Sequence, residues 1–394
     1  MSIIKILREW MLPIAMVTGA SLYLIYHILP EPVHHAGPVL AEIVSVLQPL
    51  LIFSMLFLTF CRIEPKDLKP HRWHWWLLLI QGGLFTLLGF AVAGIRCLWP
   101  ADAAAEMVQL GMASIEGGAA MPYIASGSTR AVEILIECAM LCLICPTATA
   151  AAVVTRKLGG DVPGITTYIV LINLLTAVLV PAIVPVVHPQ NGVDFWTAFN
   201  MIMAKVFPLL ISPCLCAWLV RYLFPRLHRW LLRYPDLPFY IWSVALILAI
   251  ALTTKAIVHT DMSAGMLLAM SGVSLVCCMV NFSWGRHIGA AYRPRARRGV
   301  AKSGKFGRQY AQAMLEGESV SCGSAVTEDK AVQEGKAVRK VTAGQSLGQK
   351  NTIFLIWLAY TFMTPETAII GGLYSIWHNV YNSRQLRRAA KTNN

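Results

Sequence analysis

The sequence predicts an all-α polytopic membrane protein, and three observations carry that prediction. Hydrophobic residues make up 56% of the chain and charged ones only 13%, about half the charged share of a soluble domain. Apolar runs of the roughly 20 residues that a helix needs to span a bilayer recur from end to end. The basic residues cluster between those runs, so the net charge of +13 is expected to set topology and not to bind nucleic acid.

The runs place ten spans at approximately 10–29, 38–61, 74–98, 130–158, 163–187, 196–222, 238–257, 262–284, 340–364 and 366–383. Lys5 and Arg8 precede the first run as in a signal peptide. That run is long, however, contains Pro13 and ends in Pro30-Glu31-Pro32 without a small-residue cleavage site, so it reads as a span. Of 33 Lys and Arg residues, 28 fall on alternate connections, among them Arg62, Lys66, Lys69, Arg72, Arg221, Arg226, Arg229 and Arg233. The opposite connections hold Arg96 and Arg130 and are marked by Glu31, Asp102, Glu106, Asp194 and Asp261. This asymmetry puts both termini in the cytoplasm of a cell whose inner or plasma membrane holds the chain.

Two stretches stand apart from the spans. Residues 99–129, rich in Ala, Gly and Met, form a long connection open to partial membrane re-entry. Residues 286–339 are polar and too hydrophilic to enter the bilayer, and read as a basic cytoplasmic insertion. They divide the chain into helices one to eight (1–285), the insertion, and helices nine and ten with a tail (340–394). Arg293, Arg295, Arg297 and Arg298 suit a topology determinant or anionic lipid. Cys142 and Cys145 form a CxxC with no second ligand pair, so no metal site is expected.

Ten spans divide into two fives, and an odd number per half makes a repeated unit sit upside down against its twin. Span four of each half is interrupted. In the first half Pro146 stands in mid-span, where proline removes a backbone hydrogen bond and clashes with the preceding turn. Thr147 and Thr149 follow it and can satisfy the freed carbonyls or face a cavity. In the second half the polar run 344–352, with Ser346, Gln349, Lys350, Asn351 and Thr352, opens directly into an apolar helix. Irregular polar backbone at membrane depth is tolerated only where protein buries it or a water-filled cavity adjoins it. The alternative for 344–352 is the end of a cytoplasmic loop, with Lys350 snorkelling to the interface.

The run Pro146-Thr147-Ala148-Thr149-Ala150, followed by Gly160-Asp161, resembles the fourth helix of the bile acid:sodium symporter family. Gly348-Gln349-Lys350-Asn351 is similar to that family's second crossover, and Trp377-His378-Asn379 to a run in its last helix. The resemblance implies a panel domain and a core domain, with helices four and nine broken and crossing at the midplane of two inverted five-helix repeats. It also implies sodium sites, and here the chain departs from the pattern. The positions that would supply oxygen ligands are Ala151, Ala152, Ile165 and Ile169, and the helix-nine Glu falls on Ser346 or Gln345. The family's Gln falls on Lys350 or Gln349. An ammonium about 4 Å from a sodium ion costs ~4 kcal/mol at an effective dielectric near 20. Sodium coupling is therefore not expected, and no other cofactor is.

These residues predict a secondary carrier for a small organic solute, expected to be an anion, working by alternating access in the lipid bilayer without covalent chemistry. Lys350 would serve as a fixed charge in place of the cation, or titrate and couple transport to protons. Its expected neighbours are Thr147, Thr149, Asn351, Thr352, His378 and Asn379, with Gln81 and Glu137 as secondary candidates. Lys205 and Lys255 are read as snorkelling. An enzyme is not expected, since no HExxH occurs. The other reading is a membrane sensor that kept a transporter fold. The sequence leaves oligomeric state open.

Overall fold

The structure, a computed structural model, describes residues 3–30, 35, 37–98, 120–189, 192–234, 237–292 and 324–392. Thirteen α-helices and no strand occur among the described residues. In order they are α1 (Ile3–Ile28), α2 (Gly37–Phe60), α3 (Arg72–Leu98), α4 (Ala120–Ile144), α5 (Ala150–Lys157), α6 (Val162–Val187) and α7 (Phe195–Leu223). Then follow α8 (Pro225–Leu232), α9 (Leu237–Val258), α10 (Ala264–Ala291), α11 (Ser324–Gly348), α12 (Thr352–Phe362) and α13 (Pro365–Thr392).

Six helices are long and apolar enough to cross a membrane: α2, α3, α6, α7, α10 and Tyr240–Val258 within α9. Pro13–Ile28 and α12 are shorter apolar helices. The chain is therefore a helical, polytopic integral membrane protein. The other expected spans fall on helices that carry polar cargo. Arg130, Glu133 and Glu137 interrupt α4, whereas Ser375, His378 and Asn382 of α13 are buried within the protein. The expected insertion is helical at both ends, since α10 runs to Ala291 and α11 begins at Ser324. Its Ala, Glu and Lys residues are good helix formers. The rest of it, 293–323 with the arginine run, and residues 99–119 lie outside the described residues.

Most of the apolar core is one cluster that includes Ile52, Phe85, Met140, Ile169, Phe282 and Phe354. It joins α2, α3, α4, α6, α10 and α12. Helices α10 and α11 approach most closely, through Gly285-Arg-His-Ile-Gly289 on one and Gly344-Gln-Ser-Leu-Gly348 on the other. A Cβ at Gly285 would lie 2.3 Å from the Ala343 carbonyl oxygen, and one at Gly348 would lie 2.3 Å from the Phe282 ring. Small residues four apart let two backbones meet where no hydrophobic force drives helices together.

The helix ends collect on two faces. On one, Arg221 at the end of α7 donates to Ile63 O beyond α2 (3.0 Å), and His74 of α3 meets Gly164 O of α6 (2.9 Å). On the other, Tyr23 of α1 meets His259 beyond α9 at 2.7 Å. There too Arg96 of α3 binds Glu133 (3.1 Å) and Glu137 (3.0 Å) of α4, and donates to Val187 O of α6. His188 Nε2 lies 3.1 Å from the same Glu137 carboxylate, whose side chain is 1% exposed. This network pins three helices at one end.

Gly285→Ala must push α10 from α11, because a backbone carbonyl cannot rotate out of the way. We expect it to cost about 1–3 kcal/mol, read as a lower Tm in detergent. Gly272→Ala, in the same helix but with open space around it, should leave Tm unchanged or slightly raised. Equal effects of the two variants would refute the close approach.

Candidate functional site

Both expected interruptions are real breaks in helices, and they meet. The first separates α4 from α5 at 145–149, and the second separates α11 from α12 at 349–351. Thr147 and Lys350 pair in antiparallel fashion across the crossing. Ala148 N donates to Gln349 O (2.9 Å), and Asn351 N donates to Pro146 O (2.8 Å).

A helix end leaves its last carbonyls without intrahelical donors, and in hydrocarbon each would cost several kcal/mol. At α4 every one of them is answered. Pro146 has no N–H for Cys142 O, and Asn281 Nδ2 lies 3.5 Å from that oxygen instead. Leu143 O accepts from Lys350 Nζ at 2.9 Å. Ile144 O accepts from Gln81 Nε2 (3.2 Å) and Thr176 Oγ1 (3.1 Å), and Cys145 O from Gln81 (3.2 Å). Tyr168 in turn donates to Gln81 Oε1 at 2.9 Å, which holds the amide in place.

The second break repeats this arrangement. Thr147 Oγ1 donates to Ser346 O at 2.5 Å, Tyr374 OH to Gly348 O at 2.8 Å, and Cys145 Sγ to Asn351 O at 2.9 Å. The exchange is reciprocal: Thr147 serves the carbonyl four residues before Lys350, and Lys350 serves the carbonyl four residues before Thr147. Asn351 then caps α12, its Oδ1 accepting from Phe354 N (3.3 Å).

Lys350 is 1% exposed, so it does not snorkel. Its ammonium sits at the C-terminus of α4, the negative end of the helix dipole, where a cation is stabilised. Thr147, Thr149, Ser346, Gln349, Asn351 and Thr352 are all buried around it. Among them Ser346 Oγ, Gln349 Oε1 and Asn351 Nδ2 have no hydrogen-bond partner among the described residues. Buried polar atoms of that kind concentrate where a polar ligand or water belongs. Ala151, Ile165 and Ile169 are fully buried and Ala152 partly so, all packed in the apolar core. They offer a cation no oxygen.

Two expected neighbours stand elsewhere. His378 is buried against the Tyr374 ring, centroids 5.8 Å apart, and it is Tyr374, a turn earlier, that reaches the crossing. Asn379 lines a groove of about 450 Å³ with Pro13, Met16 and Val17 of α1.

Beside the crossing lies a cavity of about 1320 Å³ bounded by α1, α2, α7, α9 and α12. Gln48 lines it and donates to Ile353 O (3.3 Å), which ties the cavity wall to the first turn of α12, and α12 itself lines it with Trp357, Tyr360 and Thr361. Its walls are mainly aliphatic and aromatic, with Phe53, Leu252 and Trp357 prominent. Lys205 and Lys255 both line it, and no carboxylate does among the described residues. Lys205 Nζ lies 5.7 Å from the centroid of the Phe362 ring. These lysines face a chamber, a role that sequence reading assigned to neither.

Comparison with known proteins adds no relative: no family model matches the sequence, and no curated protein matches it either.

Thr147→Val keeps the side-chain shape but leaves Ser346 O without its donor. The expected loss is about 1–3 kcal/mol, measured as a fall in Tm, and Thr147→Ser should restore most of it. Indistinguishable Tm values for Val and Ser would remove the hydroxyl from the account.

Proposed function

We propose that the chain is a secondary carrier for a small organic anion, a divergent relative of the bile acid:sodium symporters in which Lys350 takes the place of a bound cation. In this reading ten spans form two inverted five-helix repeats, with both termini in the cytoplasm of an inner or plasma membrane. The observation that carries it is the reciprocal crossing of two broken helices. Secondary carriers build substrate sites from discontinuous helices at corresponding places in inverted halves, and a donor exchange symmetric about Thr147 and Lys350 suits such a relation.

The chamber supports the substrate's sign. Two ammonium groups on mainly apolar walls, without a lining carboxylate, favour an amphipathic molecule with an anionic group. Alternating access would rock the helices around the chamber against those holding the crossing, with Lys350 as a fixed charge and not a proton carrier. Its place at the negative end of α4, donating to Leu143 O, favours the charged form.

The apolar residues at Ala151, Ala152, Ile165 and Ile169 also suit a sensor derived from a transporter, because both lack sodium ligands. Flux separates the two.

Purified full-length protein should show no gain in Tm with sodium over potassium at constant ionic strength, and a gain with amphipathic anions by mass action. Lys205→Met and Lys255→Met should each weaken that anion response about tenfold or more, as loss of a charged hydrogen bond does. In proteoliposomes the same anions should cross without a sodium gradient. Sodium-specific stabilisation would mean an ordinary sodium symporter, whereas anion binding without flux would favour the sensor.

A further inference from the structure

Helix α8 turns away from α7 at Phe224-Pro225, on the face that carries the basic connections. It is docked and not loose. His228 Nε2 meets Cys61 O at 2.8 Å, and Arg62 Nη2 donates to Tyr234 O at 2.9 Å. Arg221, just before the turn, donates to Ile63 O at 3.0 Å and binds Glu64 at 2.8 Å.

With residues about 100° apart around the helix axis, α8 and the two residues after it present three stripes. His228 and Leu231 face the protein. Next around the axis come Leu227, Trp230 and Tyr234, which are 44%, 48% and 49% exposed. Beyond them run Arg226, Arg229 and Arg233, all exposed. No described carboxylate pairs with these three arginines. Glu64, the carboxylate recorded at this corner, is engaged by Lys66 and Arg221, and the Lys66 hydrogen bond above all holds it below the usual carboxylate range.

We propose that α8 is an interfacial helix whose outer surface binds the headgroups of anionic phospholipids. The order of the stripes fits that partner. An apolar and aromatic strip between the protein and a row of guanidinium groups matches the passage from acyl chain to phosphate. Arg forks pair with phosphate oxygens in two-point fashion, and each basic group near an anionic leaflet adds to the attraction. A mere topology marker needs charge but no fixed geometry. Here four contacts to the residues after α2 hold the platform in place.

The test is Tm of the purified full chain in neutral detergent, with added phosphatidylglycerol or phosphatidylcholine, for wild type and for Arg226→Gln/Arg229→Gln/Arg233→Gln. Phosphatidylglycerol should raise wild-type Tm well above phosphatidylcholine, and the triple variant should lose at least half of that difference. Arg156→Gln/Lys157→Gln, at the end of α5 on the same face, should keep it. Should the triple variant not fold, the single variants Arg226→Gln and Arg229→Gln carry the test, with retained lipid counted by native mass spectrometry. An unchanged response in the α8 variants, or an equal loss in the α5 variant, would overturn the proposal. So would the same Tm gain from inorganic phosphate alone.

Discussion

A carbonyl released from a helix inside a bilayer has no water to turn to, and the centre of this protein is organised around that constraint. Two helices are broken at depth, so two sets of end carbonyls need donors. Neither break holds enough of its own. The first takes one side-chain and one backbone donor from the second, the second takes two side-chain donors and one backbone donor from the first, and the surrounding helices add Gln81, Thr176, Asn281 and Tyr374. The apolar core then closes around a polar knot in which the carbonyls that end α4 are answered, while side-chain atoms of Ser346, Gln349 and Asn351 have no partner among the described residues.

Within that knot a lysine does what a metal ion could do elsewhere. A desolvated ammonium is costly, but here it meets a carbonyl at the negative end of a helix. The charge is covalently attached and cannot leave with a substrate. The chamber next to it follows the same logic from the other side, with Lys205 and Lys255 on its wall and no carboxylate beside them among the described residues.

The elements were legible in the sequence because hydrophobic length and proline placement act locally. Pro146 could not continue α4, and Gly348 to Asn351 could not hold α11 straight, so both breaks showed as words in the text of the chain. Their meeting was expected only through family resemblance, since no spacing tells which distant residue answers a given carbonyl. Tyr374 left no signal; a tyrosine in a helix is ordinary until its hydroxyl is located. The glycine pairs of α10 and α11 did leave one, at four-residue spacing, and it went unread. That Lys205 and Lys255 line a chamber was not legible for a physical reason: which way an intramembrane lysine points depends on helix rotation, which packing fixes. His378 and Asn379 drew notice as polar residues in an apolar run, yet one packs on a ring and the other faces α1.

The donor exchange also orders events during synthesis. Gln81 is made before α4 and can meet Ile144 O and Cys145 O at once, and Thr176 follows within the next helix pair. Leu143 O must wait for Lys350, 207 residues later. At a translation rate of about 5–20 residues per second that is an interval of ~10–40 s. Through it, Leu143 O is without the donor that the finished structure gives it. The last quarter of the chain therefore finishes a helix laid down in the second.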